Sequence, residues 1–247
     1  MVDLLGWRSI IGIVMPSTNT SVQPECDDLR PRGVTNHIAR ISIPERKIDS
    51  EDSFAAHVES MRSGIGPAVD QVMTCQPQHL IMGVALEAFW GGVDKAEELR
   101  KSLEDRAGVG VSMGSDALRA ALSCFGSKRL AVLTPHQPRG DEVVRHYLED
   151  AGFEVVRLKG LKCKTPRMIA HTTEEDVREA YRELDGDDVD TIVQVGTNLA
   201  GMRVSAEAER WLGKPVLSMN MLTYWNALRR LGIEDRIHGY GRLLEEF

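Results

Sequence analysis

The chain has 247 residues, 42% of them hydrophobic and 27% charged, which is enough apolar material for a full core and excludes a disordered or fibrous chain. Thirty Lys and Arg against 37 Asp and Glu leave a formal charge of −7; with no cluster of bases and few aromatics to stack on nucleotides, no nucleic-acid partner is expected. No apolar run approaches the roughly 20 residues needed to cross a bilayer, and the opening Met-Val-Asp-Leu-Leu-Gly-Trp-Arg lacks the order of a signal peptide, so no membrane partner is expected and the cytoplasm is the expected compartment.

Short apolar runs bounded by Gly, Pro, Ser or Asn alternate with longer segments of helical period, the pattern of strands buried on both faces between helices. In chain order, a strand is predicted over residues 9–15. An amphipathic helix over 53–73 follows, which Gly64, Gly66 and Pro67 are expected to break in two. Strands over 79–84 and 110–113 come next, then a helical stretch from Ala117 to Leu122 and a strand over 129–134. The second half continues with a helix over 141–151, a strand over 153–158 and a helix over 174–184 that opens on Thr172, Thr173 and three acids, a capped start. Strands over 191–195 and 216–219 and a helix over 222–231 complete the series. The fold class is α/β.

An internal repeat organises these elements. Ile13-Val14-Met15-Pro16 matches Ala131-Val132-Leu133-Thr134-Pro135, His79 to Gly83 matches Thr191 to Gly196, and Gly110 to Ser115 matches Pro215 to Asn220. The order is preserved and the offset drifts as unequal loops make it drift. We therefore expect two pseudo-symmetric lobes, each a parallel four-stranded sheet with flanking helices: residues 1–115 plus 224–247, and residues 116–223. Ligands bind beyond the carboxyl ends of parallel strands. The loops at 16–21, 83–92, 135–141 and 196–201 should thus surround one cleft between the lobes.

The first of these loops, Pro16-Ser17-Thr18-Asn19-Thr20-Ser21, places hydroxyls and an amide at an expected helix start, where free N–H groups favour a carboxylate. Simple N-capping by Ser17, Asn19 or Thr20 is the plainer alternative. Gly196-Thr197-Asn198-Leu199 reads as its pseudo-repeat partner, and two such cradles across a cleft suit a small dicarboxylate. The four cysteines, Cys26, Cys75, Cys124 and Cys163, stand too far apart in sequence to suggest a zinc site or a dithiol pair. Dinucleotide, Walker, nucleophile-elbow and zinc-helix motifs are absent, and Asp187-Asp188-Val189-Asp190 reads as the polar turn before a strand rather than as a metal loop.

Pro-Ser-x-Asn-Thr at Pro16, Gly-Thr-Asn-Leu at Gly196, Leu212-Gly213-Lys214-Pro215-Val216 and the closing Gly239-Tyr240-Gly241-Arg242-Leu243-Leu244 together resemble the aspartate/glutamate racemase superfamily, most closely its maleate cis–trans isomerase and arylmalonate decarboxylase branch. The resemblance runs through essentially the whole chain. It implies two lobes around one carboxylate site, one or two catalytic cysteines in the loops after the central strands, no metal or organic cofactor, and a homodimer. The departures matter as much. The implied cysteine positions fall on Gly196 and at or next to Gly83, so both thiols are missing, and thiolate addition or two-thiol proton transfer cannot run on glycine. A family tyrosine is replaced by His136, a hydroxyl-bearing pair by Val84 and Ala85, and an asparagine by Pro166.

His136, at a cleft-facing strand end, is the expected general acid or base. Glu87 is second, as a carboxyl among apolar neighbours whose pKa burial would raise; a solvent-facing place on a short helix is its alternative. The other histidines, His37, His57, His79, His146, His171 and His238, read as surface or helix residues. Phe89-Trp90 either walls the pocket or packs in the core. Ser17, Asn19, Thr20, Gly83, Val84, Ala85, Gly196, Thr197 and Asn198 are the expected substrate-binding set. The expected function is a cofactor-independent isomerase or lyase acting on a small mono- or dicarboxylate without thiol chemistry. Its alternatives are a non-catalytic carboxylate-binding or regulatory protein, and thiol chemistry carried by one of the four remaining cysteines.

Overall fold

The computed structural model describes residues 3–247. Its strands are β1 (Ser9–Pro16), β2 (Val34–Ile41), β3 (His79–Met82), β4 (Gly110–Met113), β5 (Arg129–Thr134), β6 (Glu154–Gly160), β7 (Thr191–Gln194) and β8 (Val216–Ser218). They form two parallel sheets in the orders β2-β1-β3-β4 and β6-β5-β7-β8. The two orders are the same permutation, so β1 corresponds to β5, β3 to β7 and β4 to β8. That correspondence corrects one reading of the loops: the copy of the loop after β1 is the loop after β5, and the loop at Gly196 is the copy of the loop at Gly83.

The central strands carry near-continuous apolar runs because both of their faces are covered. Ile13 of β1 stands opposite Ile38 and Ile81, and Val132 of β5 opposite Leu158 and Val193. Ile13, Val132 and Val193 are fully buried, and each such side chain contributes roughly 1.5–3 kcal/mol. Strand β2 has no counterpart among the predicted elements. It is an edge strand whose buried positions are Val34, Ala39 and Ile41, while Thr35, Asn36, His37 and Arg40 interrupt any apolar run.

Helix α1 (Val22–Asp28) follows β1, and α2 (Glu51–Met73) runs unbroken through Gly64, Gly66 and Pro67, against the expectation of a break. Phe54, Val58, Met61, Ile65, Val69 and Val72 recur at helical spacing and are buried, so packing on the sheet outweighs the local cost of Pro67. Gly64 is required there: a Cβ at this position would lie 2.6 Å from Cγ2 of Ile41. Helices α3 (Ala85–Phe89), α4 (Gly92–Ala107), α5 (Gly114–Phe125), α6 (Pro138–Asp150), α7 (Glu174–Leu184), α8 (Met202–Leu212), α9 (Met219–Arg230) and α10 (Arg242–Glu246) complete the layers. The helices that continue directly from β4 and β8, α5 and α9, pack on each other, and α9 also reaches β3 and β4, which ties the sheets together.

That junction contains His79, which is a buried strand residue and not a surface one. Its Nε2 lies 2.8 Å from the Ser112 hydroxyl, which donates to Asn226 Oδ1 of α9 at 2.7 Å. Burial pushes its pKa down to about 4, so it is neutral and serves as a hydrogen-bonding core residue.

Candidate active site

The carboxyl-terminal strand tips of both sheets meet around one cavity of about 100 Å³. The loop after β1 and the loop after β7 are bonded to each other directly: Asn19 Nδ2 donates to Thr197 Oγ1 at 3.2 Å, Thr20 N to Asn198 Oδ1 at 2.9 Å, and the Ser21 hydroxyl to Asn198 O at 2.9 Å. Residues nearly 180 positions apart in sequence thereby form a single floor. Pro16, Thr18 and Asn19 from the first loop and Gly196, Thr197 and Asn198 from the second line the cavity, together with Val84, Ala85 and Leu86 at the start of α3.

The hydrogen bonds of the floor determine what it offers. Both asparagine amides are committed to the protein. Asn19 Oδ1 accepts from the N–H groups of Ser21 and Val22 at the start of α1, and Asn198 Nδ2 donates to Pro166 O at 2.9 Å. The backbone supplies the free donors instead. Arg40 binds the Ser17 carbonyl from outside, Gln194 Nε2 donates to Gly196 O at 2.7 Å, and Asn220 Nδ2 donates to Thr197 O at 2.9 Å. In a trans peptide the N–H points opposite its C=O, so with these three carbonyls held by the protein the N–H groups of Thr18, Thr197 and Asn198 lie on the other side of their peptide planes. Among the described residues, none of the three donates to a protein acceptor.

The opposite wall is apolar. Phe54 and Met61 of α2, Ile43 and Ile48 of the segment before it, and Ile169 of the 3-10 turn Arg167–His171 close the space above the strand tips. Among the described residues lining the cavity there is no Lys, Arg, Asp or Glu. Two histidines face it, His136 after β5 and His57 on α2, each with a ring nitrogen that is out of solvent and without a partner: Nε2 of His136 and Nδ1 of His57. Burial, reinforced by the nearby His57, pushes the His136 imidazole down to about 4. Burial also lowers His57, with Arg46 reinforcing the shift and Glu45 opposing it. Both rings are therefore neutral near pH 7.

His136 is held firmly. Its N–H donates to Thr134 Oγ1 at 3.1 Å, and that hydroxyl in turn bonds Asp141. Its carbonyl accepts from Lys162 N at 3.1 Å, and Gln137 Nε2 ties down the carbonyls of Lys162 and Cys163. Gly140 lets α6 start beside the ring, because a Cβ there would stand 2.7 Å from Cβ of His136. The same strap brings Cys163 into the cavity wall. Burial raises the pKa of this thiol, and its Sγ lies 3.8 Å from the Thr172 hydroxyl; it is a protonated thiol at neutral pH.

Several expected site residues lie elsewhere. The Ser17 hydroxyl is used on the backbone of Ile43, and the exposed Thr20 contributes its main chain to the floor and not its side chain to the cavity. Gly83 packs against Val14 and Val22, where a Cβ would meet Val14 O at 3.1 Å and Val22 Cγ1 at 3.2 Å; Gly196 does line the cavity, and a Cβ there would meet Pro135 Cδ at 2.5 Å. Glu87 is buried on the far side of α3, with Oε2 accepting from Arg62 Nε at 3.0 Å. On a helix it stands 200° round from Ala85, and it borders a separate groove with Trp90 and Lys95. Phe89 packs edge-on against Tyr147 in the core, and Trp90 stacks on Phe54 at 5.8 Å from outside. His57 was passed over in the sequence because nothing on an amphipathic helix marks one polar residue as facing a cavity.

A family model described as arylmalonate decarboxylase matches residues 11–244. Maleate isomerase of Pseudomonas putida is 25% identical over 245 residues, covering 95% of this chain and 96% of that one. Among solved structures, a cysteine-to-serine variant of Nocardia farcinica maleate cis–trans isomerase with a covalently bound succinylcysteine intermediate superposes with a TM-score of 0.88 at 24% identity, over 96% of this chain and 98% of that one. An arylmalonate decarboxylase superposes with a TM-score of 0.77 at 19% identity, over 95% and 98%.

Proposed function

The chain belongs to the arylmalonate decarboxylase family, and from that premise we propose that it is a cofactor-independent isomerase or lyase acting on a small carboxylic acid with an apolar body, with His136 moving the proton. The observation that carries this reading is the unpartnered, buried Nε2 of His136 in a cavity with main-chain donors on one side and hydrocarbon on the other. The carboxylate takes the N–H groups of Thr18, Thr197 and Asn198, and the apolar body takes Phe54, Met61 and Val84. The carbon next to the carboxylate then faces the imidazole. As base, Nε2 accepts the proton from that carbon, and the C–H electron pair becomes an enediolate whose oxygens the same N–H groups hold. Return of the proton from Nε2 reverses the step, whereas a solvent proton delivered to the opposite face of the planar enediolate, with Nε2 releasing its own proton to solvent, inverts the carbon and completes an isomerisation. In a decarboxylation, carbon dioxide leaves its bonding pair behind as the same enediolate, and a solvent proton, relayed through the neutral imidazole of His136, completes the C–H bond.

A thiol is not needed for either route. The Nocardia farcinica isomerase carries its intermediate on a cysteine; in this chain the one thiol in the cavity wall is Cys163, kept protonated by burial. Among the described residues no three His, Cys, Asp or Glu are grouped to hold a metal ion.

The test is incubation of purified protein with maleate, phenylmalonate and 2-phenylpropionate in D2O, following deuterium at the carbon next to the carboxylate and release of carbon dioxide. Exchange or turnover with at least one aryl acid, resistant to iodoacetamide, is expected. Tight binding of an acid with no exchange and no turnover would replace this reading with a carboxylate-binding protein, and loss of all turnover on alkylation would replace it with thiol chemistry.

A further inference from the structure

A carboxylate entering this cavity meets no Lys or Arg in its wall, yet an anion moved into apolar surroundings without a counter-charge costs several kcal/mol. The main-chain N–H groups offset part of that cost. The remaining groups that can acquire a positive charge are the two imidazoles. His57 reaches the cavity from α2 of the first lobe, and His136 from the loop after β5 of the second, so both border one ligand space. Each has a buried ring nitrogen with no protein partner. A charge on one opposes a charge on the other, so the pair holds at most one proton near neutral pH.

We propose that His57 is the proton-binding counter-charge of the site: it takes one proton from solvent as a carboxylate binds, while His136 stays neutral and free to act as base. The inference rests on the carboxylate-enzyme reading above and assigns His57 its part in it. The choice between the rings follows from the reading above: the base must stay neutral, which leaves His57 as the other group in the wall able to carry a positive charge. Around His57 stand Arg46, which opposes its charge, Glu45, which favours it more weakly and is itself paired with Arg167, and His136; around His136 stand His57, the uncharged Cys163 and, through the Thr134 hydroxyl, Asp141. Proton uptake and anion binding are then linked, so affinity falls as pH rises through the histidine range, because the proton that accompanies the anion becomes harder to obtain.

The experiment uses phenylacetate, a monoanion with an apolar body, titrated calorimetrically into the full-length protein at pH 7 in two buffers of different ionisation enthalpy. Wild type is expected to take up roughly one proton per phenylacetate bound. The His57→Gln variant is expected to take up none and to bind about tenfold more weakly. His136→Gln is expected to keep the uptake and to lose deuterium exchange. In wild type, which avoids any question of folding, the His57 ring nitrogens are expected to shift to imidazolium values in 15N NMR when phenylacetate is added. Binding without proton uptake, or uptake that survives His57→Gln and vanishes in His136→Gln, would overturn the assignment to His57 and leave the carboxylate-enzyme reading standing. Failure of wild type to bind phenylacetate at any pH would overturn both.

Discussion

Two places in this molecule bury a histidine deeply enough to push its pKa down to about 4, and they differ in whether the ring is satisfied. At the junction of the sheets His79 has Ser112 at 2.8 Å, and Ser112 has Asn226. In the cleft His136 has its backbone fixed on both sides while its Nε2 meets nothing. Burial alone thus does not distinguish a structural group from a reactive one. An uncompensated polar atom costs the fold about 1–3 kcal/mol, and on the proposed reading a ligand in the cleft completes the bonding of His136.

The sharpest separation of the two places comes from His136→Gln, which should lower turnover by roughly 10²–10⁴-fold while leaving the melting temperature unchanged or slightly higher. An early-melting variant would make His136 a second His79. Conversely, His79→Ala should cost roughly 2–4 kcal/mol in denaturant unfolding, from the space it leaves and the stranded Ser112 hydroxyl, with ligand affinity intact in the folded fraction.

A satisfied carboxyl extends the comparison. Glu25 of α1 accepts from Met202 N at 2.9 Å and from Asn220 Nδ2 at 2.6 Å, yet burial still raises it to about 7. Its folded pKa lies above the ordinary carboxyl value, so the folded state holds the proton more tightly than the unfolded one. The contribution is therefore greatest below about pH 4.5 and is lost as pH rises to about 7, by up to about 3 kcal/mol, with no further change above. Glu25→Gln should flatten stability across that window in urea titrations at stepped pH; an unchanged slope would show that Glu25 ionises freely in the fold.

The smallest effects are expected at Cys163, which lines the cavity as a protonated thiol, and at Glu87, which lies outside it. Cys163→Ser and Glu87→Gln should each change kcat/KM by less than about threefold, under 1 kcal/mol. Loss of activity in the first would bring a thiol back into the chemistry. Loss in the second would show that the groove beside Arg62 communicates with the cleft.

Most of the framework was legible because parallel strands buried on both faces leave unbroken apolar runs, as at Ile11–Met15 and Leu130–Leu133, and because the chain repeats itself. Strand β2 was not, since an edge strand needs few apolar residues. The continuity of α2 through Pro67 was hidden for a related reason, as its stability comes from the sheet beneath it. In the site, the meeting of the Asn19 and Asn198 loops followed from two repeated lobes whose strand tips face one cleft, although the Gly196 loop is the copy of the Gly83 loop and not of the Asn19 loop. Their role did not: the asparagine side chains brace the floor, and the donors are main-chain groups that no residue type announces. Glu87 was misplaced by a rotation about a short helix axis, a quantity that a five-residue helix does not specify in sequence.

The most direct measurement is a crystal structure with phenylacetate or a related aryl acid bound. A carboxylate on the N–H groups of Thr197 and Asn198, with its adjoining carbon within reach of Nε2 of His136 and the ring against Phe54 and Met61, is the predicted result. An acid seated instead in the groove between Arg62, Trp90 and Lys95, with the cleft between the lobes unoccupied, would contradict the account.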